Sequence, residues 1–464
     1  MSSPSTVTIV SECFIKPLHD LSPETKQPLH FAPFELSFLN FNYIQKGLLF
    51  SKPPENKGFS ITAFLDDLKN SLSATLTHFY PLVSRLATRI QDDHNPPSYV
   101  IYLDPKNRPG VKFIYAKTDA TILDIINPTY VPLIVGSFFD LNNAISHDGH
   151  TLPLVSIKVT ELTDGIFIGG SINHVVADGT SFWHFMTSWS EIFKSKNRET
   201  CIISRTPVFK RLALEGYDPR VNLPYTHHGQ FIERSEHPQD DDLKERFFHF
   251  SSASVARLKN KANAELSNNN NTQKKIISSL QAVSALLWRC ITRVRRQPGD
   301  SETECVLAVC NRRRINPPLS DGYFGSPVLT VKGTKTVEEL MKNGLGWAAL
   351  YLHETITNHD DEAVKKWAES WFRNPVAYKI SDMLSPFSNV VLISSSPRFD
   401  MYGCEFGLGK AVAVRSGPAN KGDGAMTMYP GREGGGSIDV EVCLSAETMK
   451  DLEHEEEFIS ALKE

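Results

Sequence analysis

The chain has 464 residues, of which 41% are hydrophobic, and its 53 acidic and 49 basic side chains give a formal charge of −4. This composition provides enough apolar surface for two domain cores and excludes an intrinsically disordered chain. The nearly balanced charge argues against a general attraction to nucleic acid or membranes, and no apolar run approaches the length of a membrane span.

Cysteine usage and the N-terminus indicate the compartment. The seven cysteines are scattered along the chain and form no Cys-x-x-Cys pair, which is the usage expected of reduced thiols. The first residues lack the basic and apolar regions of a secretory signal. We therefore expect a cytoplasmic protein.

The predicted elements mix strands and helices in both halves of the chain. Apolar residues recur with period two in the strands and with a period near 3.6 in the helices. In chain order, the predicted elements are a strand at Val7–Val10, a helix at Phe64–Leu76, strands at Tyr99–Leu103, Pro153–Val159 and Gly165–Gly169, helices at Thr180–Lys194 and Ser278–Arg296, and a strand at Ser437–Val442. This mixture predicts an α/β fold.

An irregular stretch separates the two halves. Pro207, Pro219 and Pro224 interrupt it, and the polar run Glu236–Asp242 follows, as expected of a linker rather than of a packed element. The predicted division is an N-terminal domain at residues 1–200, a crossing linker at 201–245 and a C-terminal domain at 246–464.

The segment Ser171–Thr180 carries the most informative pair of polar residues. His174 follows an apolar strand, and Asp178 with Gly179 stands where the next helix starts. A neutral imidazole can accept a proton from a hydroxyl or an amine and later return it to a leaving group. The position of His174 therefore predicts a general base in a turn between strand and helix.

The residues alone leave other interpretations of this pair open. A histidine four residues before an aspartate can bind a metal from one helix face, but no His-Glu-x-x-His motif adds further ligands. Taken alone, such a pair is more often a buried histidine beside a helix-capping aspartate. A covalent route lacks a Gly-x-Ser-x-Gly motif, and no activated serine or cysteine is recognised beside His174.

Four segments together resemble the plant BAHD acyltransferases, whose mark is His-x-x-x-Asp-Gly in mid-sequence. They are His174–Gly179, Phe79–Leu86, Arg312–Gly325 and Glu405–Gly409, the last being similar to the family's Asp-Phe-Gly-Trp-Gly. The segments occur in family order, and the resemblance extends over essentially the whole chain. It implies two similar domains of mixed β-sheet and helices, with a channel between them.

The resemblance also implies a role for each matching residue. His174 removes the proton of the acceptor, and Asp178 supports the turn by pairing with Arg312 rather than by relaying charge. Ser278 and Ser279 precede an apolar helix, where hydroxyls commonly cap backbone N–H groups, and the family adds contact with the CoA arm. The remaining implied roles are substrate binding for Ser37 and Ser394, and structural support for Gly179, Glu405, Gly407 and Gly409.

The chain departs from the family pattern in its late motif. Glu405 stands in place of Asp and Leu408 in place of Trp, and Ser326 replaces the Asn that often follows Tyr-Phe-Gly. Since a leucine cannot donate the hydrogen bond of an indole N–H, any stabilisation that the family draws from that group is lost here. We expect Leu408 to act as a packing residue.

The implied function is direct transfer of an acyl group from acyl-CoA to a hydroxyl or amine of a small plant metabolite, within a ternary complex. Acyl-CoA is the co-substrate. We expect no metal or redox cofactor and no nucleic-acid or membrane partner. We also expect the protein to be a monomer. One crucifer member of the family instead acts as a lyase that forms salicylate from an isochorismoyl conjugate, and it lacks the motif histidine. His174 favours transfer over the alternatives, which are a lyase and a catalytically degenerate binding protein.

Overall fold

The computed structural model describes residues 5–19, 27–54, 58–91, 98–195, 202–211, 221–234, 242–267, 276–379 and 389–463. Of the predicted linker, only parts therefore lie within the described residues. None of the described helices is long and apolar enough to cross a membrane.

Fifteen strands lie within the described residues. They are β1 (Thr8–Ile15), β2 (Leu29–His30), β3 (Ile44–Ser51), β4 (Arg85–Gln91), β5 (Ser98–Asp104), β6 (Val111–Lys117), β7 (Val155–Glu161), β8 (Gly165–Ile172), β9 (Leu243–Phe250), β10 (Glu302–Cys310), β11 (Val328–Thr336), β12 (Val390–Ser394), β13 (Ala413–Ser416), β14 (Ala425–Pro430) and β15 (Ile438–Ser445).

The α-helices of the described residues lie singly or in short runs between and after these strands. They are α1 (Pro33–Leu36), α2 (Ile61–His78), α3 (Ile122–Ile126), α4 (Gly179–Lys194), α5 (Ser252–Ser267), α6 (Ser279–Val294), α7 (Val337–Lys342), α8 (Leu345–Thr357), α9 (Asp361–Arg373), α10 (Ala446–Leu452) and α11 (Glu456–Leu462). Short 3-10 helices lie at Tyr80–Val83, Leu133–Phe138, Ser146–His150 and His228–Gln230.

The strands form two six-stranded mixed sheets and one small sheet. The first large sheet has the order β1-β6-β7-β8-β3-β13, in which only β6 and β7 are parallel. The second has the order β11-β10-β12-β14-β15-β9, in which β12 is parallel to both of its neighbours. The predicted α/β fold with two similar mixed halves is thereby confirmed.

The two large sheets follow the two halves of the sequence, with one exception. β13 pairs with β3, so a strand from the late part of the chain extends the first sheet. The predicted boundaries at residues 200 and 245 stay a prediction, since the packing of the sheets does not set them.

Helix α4 is positioned by the apolar spacing that the sequence shows. Phe182, Phe185, Met186, Trp189 and Ile192 are all fully buried in the core beneath the first sheet. Such spacing places one face of a helix against the core. Because this face is fixed along the whole helix, the turn between β8 and α4 is held at a defined place.

Candidate active site

His174 lies in the turn between β8 and α4, and the backbone of this turn is held by the 3-10 helix Ser146–His150. The Asn173 amide donates to the Ser146 carbonyl oxygen at 2.7 Å and accepts from the Val175 N–H at 3.0 Å. The His174 N–H donates to the Ser146 hydroxyl oxygen at 3.2 Å. The position of the histidine is thus determined from both sides of the turn.

The imidazole of His174 is held by two aromatic rings and one hydroxyl. Phe38 stacks on it with ring centroids 4.2 Å apart and planes inclined by 6°, and Phe41 meets it edge-on at 5.9 Å. The Ser326 hydroxyl oxygen lies 3.2 Å from Nδ1. Burial against these groups lowers the pKa of His174 to about 4. The ring is only partly buried, so a neutral imidazole is available for proton transfer at physiological pH.

Asp178 caps α4 and binds Arg312 through both carboxylate oxygens. Its Oδ1 accepts from the Ser181 N–H at 2.8 Å. Arg312 donates from Nη1 to Oδ2 at 2.5 Å and from Nη2 to Oδ1 at 3.0 Å. Asp178 and Arg312 are 1% and 6% exposed. Charge-assisted bidentate pairs of this kind fix geometry as well as contributing energy. Because the Asp178 carboxylate is already bonded to Arg312 and Ser181, it does not serve as the second ligand of a metal site with His174.

The Arg312 guanidinium also fixes the backbone of its own segment, Arg312–Gly325. Its Nε donates to the Tyr323 carbonyl at 3.2 Å, and Nη2 donates to the Gly325 carbonyl at 3.1 Å and to the Ser181 hydroxyl at 2.9 Å. An added Cβ at Gly325 would lie 2.7 Å from a carboxylate oxygen of Glu35. A glycine is therefore required at residue 325, where the chain passes between Arg312 and Glu35.

The segment Phe79–Leu86 packs against the same region. Phe79 is fully buried and packs edge-on against His184 and Phe185 of α4, with centroids 5.3 and 5.4 Å away, and against Phe324 at 5.2 Å. The following 3-10 helix, Tyr80–Val83, turns the chain into β4. Segments that are far apart in sequence thus pack around the N-terminal half of α4.

Gly179 follows Asp178 for a steric reason. A Cβ at this position would lie 3.2 Å from a ring carbon of Phe399. A side chain at residue 179 would therefore displace the aromatic ring that covers the beginning of α4. The predicted structural role of Gly179 rests on this close approach and not on an unusual backbone conformation.

The late motif meets α4 at its opposite end. The Glu405 and Phe406 N–H groups face the Ser190 hydroxyl oxygen at 3.1 and 3.4 Å, and the Glu405 carboxylate lies 3.5 Å from Lys194 Nζ. Phe406 is fully buried against Trp189, with ring centroids 4.7 Å apart. With a rise of 1.5 Å per residue, Ser190 is about 18 Å along the helix from Asp178. The late motif is therefore remote from His174.

The glycines of the late motif have backbone conformations that side chains disfavour. Gly407 has φ 70° and Gly409 has φ 81°, both in the left-handed region. Leu408, between them, is half-buried and packs against the first core. These contacts make the segment a packed turn on the end of α4.

Both predicted substrate-binding hydroxyls are bonded within the protein. The Ser37 hydroxyl donates to the Phe34 carbonyl at 2.7 Å and is buried, although the next residue, Phe38, contacts His174. The Ser394 hydroxyl, at the end of β12, donates to the Met426 carbonyl at 3.1 Å and is only partly buried. Their roles in binding stay predictions.

The two serines assigned to CoA stand at the beginning of α6. Ser278 caps the helix by accepting from the Gln281 N–H at 3.3 Å, and Gln281 returns a bond to the Ser278 N–H at 2.8 Å. Ser279 is the first helical residue and is partly exposed. The expected capping is therefore present, and contact with CoA stays a prediction.

Sequence reasoning missed the residues that contact the imidazole itself. Phe38, Phe41 and Ser146 were not recognised, and Ser326 was noted only as a departure from the family. No activated serine or cysteine was recognised beside His174, and the structure brings the Ser326 hydroxyl oxygen to 3.2 Å from Nδ1. Ser326 is 0% exposed.

Comparison with known proteins places these features in a class of enzymes. The model of the Transferase family matches residues 5–459. An uncharacterised acetyltransferase of Arabidopsis thaliana is 35% identical over 460 residues, which cover 98% of each chain. A BAHD acyltransferase of the same plant, named DCR, is 31% identical over 468 residues that cover 98% of this chain and 92% of the relative. The chain is therefore an acyltransferase.

More particularly, it belongs to the BAHD family of acyl-CoA-dependent acyltransferases, as its four motifs predict. The fold agrees with this assignment. Vinorine synthase superposes with a TM-score of 0.72 at 20% identity, covering 96% of both chains. The TRI101 protein of F. sporotrichioides, solved with coenzyme A and T-2, superposes with a TM-score of 0.67 at 17% identity, covering 94% of this chain and 98% of its own.

Proposed function

We propose that this enzyme transfers an acyl group from an acyl-CoA thioester to a hydroxyl or amine of a small plant metabolite, with His174 as the general base. The observation that carries the proposal is the neutral, partly exposed imidazole of His174, whose ring plane and Nδ1 are both held by the protein. Membership of an acyltransferase family supplies the type of reaction.

In the proposed reaction, Nε2 of His174 removes the acceptor proton as the acceptor oxygen or nitrogen attacks the thioester carbonyl. A tetrahedral oxyanion forms and collapses, the carbon–sulfur bond breaks, and the CoA thiolate leaves. The proton held by the imidazolium is then available to the thiolate. One histidine thus serves both proton transfers, and no acyl-enzyme is needed.

Asp178 takes no part in proton transfer in this mechanism. Its carboxylate is directed to Arg312 and to the Ser181 N–H, with both oxygens bonded. It therefore holds the start of α4, and with it the turn that carries His174. The proposal gives Asp178, Arg312 and Gly179 structural roles next to the reacting atoms.

The binding of both substrates is part of the proposal. The acceptor and the thioester meet in a channel between the two halves, near Ser37 and Ser394, and the CoA arm reaches the beginning of α6 at Ser278 and Ser279. The N–H groups at a helix start can bind an anion, which supports this placement of CoA. The structure of a fungal neighbour solved with coenzyme A supports CoA as the donor form.

We propose further that the enzyme acts as a cytoplasmic monomer and needs no metal or redox cofactor. The six described cysteines, Cys13, Cys290, Cys305, Cys310, Cys404 and Cys443, are all free thiols. Free thiols are typical of proteins kept in a reducing compartment. Light scattering of the purified protein tests the monomer.

The test is a screen of purified enzyme with acetyl-, malonyl-, benzoyl- and hydroxycinnamoyl-CoA against pooled plant alcohols and amines, read by mass spectrometry. Acylated product should appear together with an equal amount of free CoA, and His174→Ala should lower the rate of both roughly a hundredfold or more. Turnover of a small molecule without CoA would overturn the proposal in favour of a lyase. Absence of any turnover across the screen would favour a degenerate binding protein.

A further inference from the structure

Ser326 places a hydroxyl beside Nδ1 of the His174 imidazole. It is 152 residues from His174 in the sequence, and its Oγ lies 3.2 Å from Nδ1. It is 0% exposed. A buried hydroxyl against one nitrogen of a catalytic histidine affects which nitrogen carries the proton.

The proposed role of His174 decides the direction of this hydrogen bond. A serine hydroxyl can donate or accept, and a neutral imidazole carries its hydrogen on only one of its two nitrogens. A base at Nε2 needs that nitrogen unprotonated, so Nδ1 carries the hydrogen and donates it to the Ser326 oxygen. Nε2 then has the free lone pair.

The position of Ser326 is itself fixed by the segment that stacks on the face of the ring. The Ser326 N–H faces Glu35 Oε1 at 3.5 Å, and the Tyr323 hydroxyl donates to the same oxygen at 3.0 Å. Glu35 Oε2 accepts from the Ala32 N–H at 2.8 Å. Three residues after Glu35, Phe38 stacks on the imidazole. One short segment around α1 therefore sets both the ring plane and the hydroxyl at Nδ1.

We infer that Ser326 is a positioning residue that holds His174 in the Nδ1–H tautomer and so keeps Nε2 free to act as the base. The inference rests on the proposed function of His174. Without the hydroxyl, the neutral ring can shift its hydrogen to Nε2, and the fraction of competent enzyme falls. Since one ordinary hydrogen bond is lost, kcat should fall roughly three- to tenfold with little change in KM.

The experiment compares Ser326→Ala with Ser326→Thr, which keeps a hydroxyl, in kinetics and in NMR. The kinetic arm measures kcat and KM with the substrate pair found in the screen. The NMR arm needs no substrate: protein labelled with ¹⁵N-histidine reports the tautomer from the shifts of the two ring nitrogens, and the His174 signals are those lost in His174→Gln. Ser71→Ala is the control, because Ser71 is equally buried and hydrogen-bonded but lies on α2.

We expect the wild-type protein and Ser326→Thr to show hydrogen on Nδ1, and Ser326→Ala to show a mixture of tautomers together with the lower kcat. Ser71→Ala should show neither change. An unchanged His174 tautomer in Ser326→Ala, or a wild-type ring with hydrogen on Nε2, would overturn the inference. Because the NMR arm is independent of turnover, a wild-type enzyme with no transferase activity would count against the proposed function alone.

Discussion

The two ends of α4 carry the same kinds of charge in very different settings. At its N-terminal end, Asp178 and Arg312 are almost fully buried and joined by two hydrogen bonds. At its C-terminal end, Lys194 and Glu405 are 44% and 43% exposed, with nitrogen and oxygen 3.5 Å apart. Breaking a buried pair leaves an uncompensated charge, whereas an exposed pair is screened by water. The difference in burial therefore predicts that substitutions at Asp178 or Arg312 destabilise the protein strongly, whereas substitutions at Lys194 or Glu405 change its stability little.

The largest effect should come from breaking the buried pair. Asp178→Ala and Arg312→Ala should each destabilise the protein by about 3–5 kcal/mol, because each leaves the other charge buried alone. The double variant should cost less than the sum of the two, as measured in a double-mutant cycle of urea unfolding. The matched cycle of Lys194→Ala and Glu405→Ala should show coupling below about 1 kcal/mol. Additive losses at Asp178 and Arg312 would contradict the comparison.

The next effect concerns rate rather than stability. His174→Ala should lower kcat by roughly a hundredfold or more, since a general base contributes about that much to proton transfer. The fold should be retained, because the side chain is partly exposed and the turn is held through backbone and Ser146 contacts. Circular dichroism and thermal unfolding provide the control. A well-folded His174→Ala enzyme with near wild-type rates would remove the histidine from the mechanism.

A smaller effect should appear on acidification, at the buried side of α4. His184 is 2% exposed, donates through Nε2 to the Arg205 carbonyl at 2.7 Å, and has its pKa lowered by burial to about 4. Its folded pKa lies below its unfolded value near 6.5, so the unfolded state takes up the proton first and stability falls as pH drops below about 6.5. This residue should account for about 2 kcal/mol between pH 8 and pH 5.

The comparison for this prediction is His184→Gln, which keeps an N–H donor and does not titrate. Its free energy of unfolding, measured in urea at each pH, should depend less steeply on pH than that of the wild-type protein. Equal slopes for the two proteins would show that His184 is not buried in its neutral form.

The smallest effect should come from restoring the family's residue at the late motif. Leu408→Trp should change the free energy of unfolding more than kcat, because Leu408 packs against the first core at the far end of α4. Parallel measurements of thermal unfolding and turnover test this, with Glu405→Asp as a second restored position that should change both little. A large gain in turnover at unchanged stability would show that this end of the helix also governs the chemistry.

Much of this arrangement could be predicted from local sequence. The apolar spacing after Thr180 predicted α4, the hydroxyl before an apolar run predicted the cap at Ser278, and the family motif predicted the pairing of Asp178 with Arg312. These features depend on neighbouring residues or on a motif that names both partners.

The contacts at the imidazole could not be predicted in the same way. Phe38 and Ser326 meet His174 from segments 136 residues before it and 152 residues after it, and a single sequence does not show which distant side chains will meet. The polar or aromatic character of these residues is equally compatible with an ordinary core. The sequence marked only Ser326, because it departs from the family's Asn. That departure singled out residue 326 but did not show that it contacts His174.

The central claim is direct transfer at His174, and the most direct test asks whether the enzyme itself is ever acylated. The question matters because the Ser326 hydroxyl, 3.2 Å from the imidazole, is the group that a covalent route would acylate. Incubation with acyl-CoA alone, followed by intact-protein mass spectrometry, should show no stable increase in mass, and initial rates with both substrates should give intersecting double-reciprocal lines. A trapped acyl group, with parallel lines and an adduct located on Ser326, would contradict direct transfer.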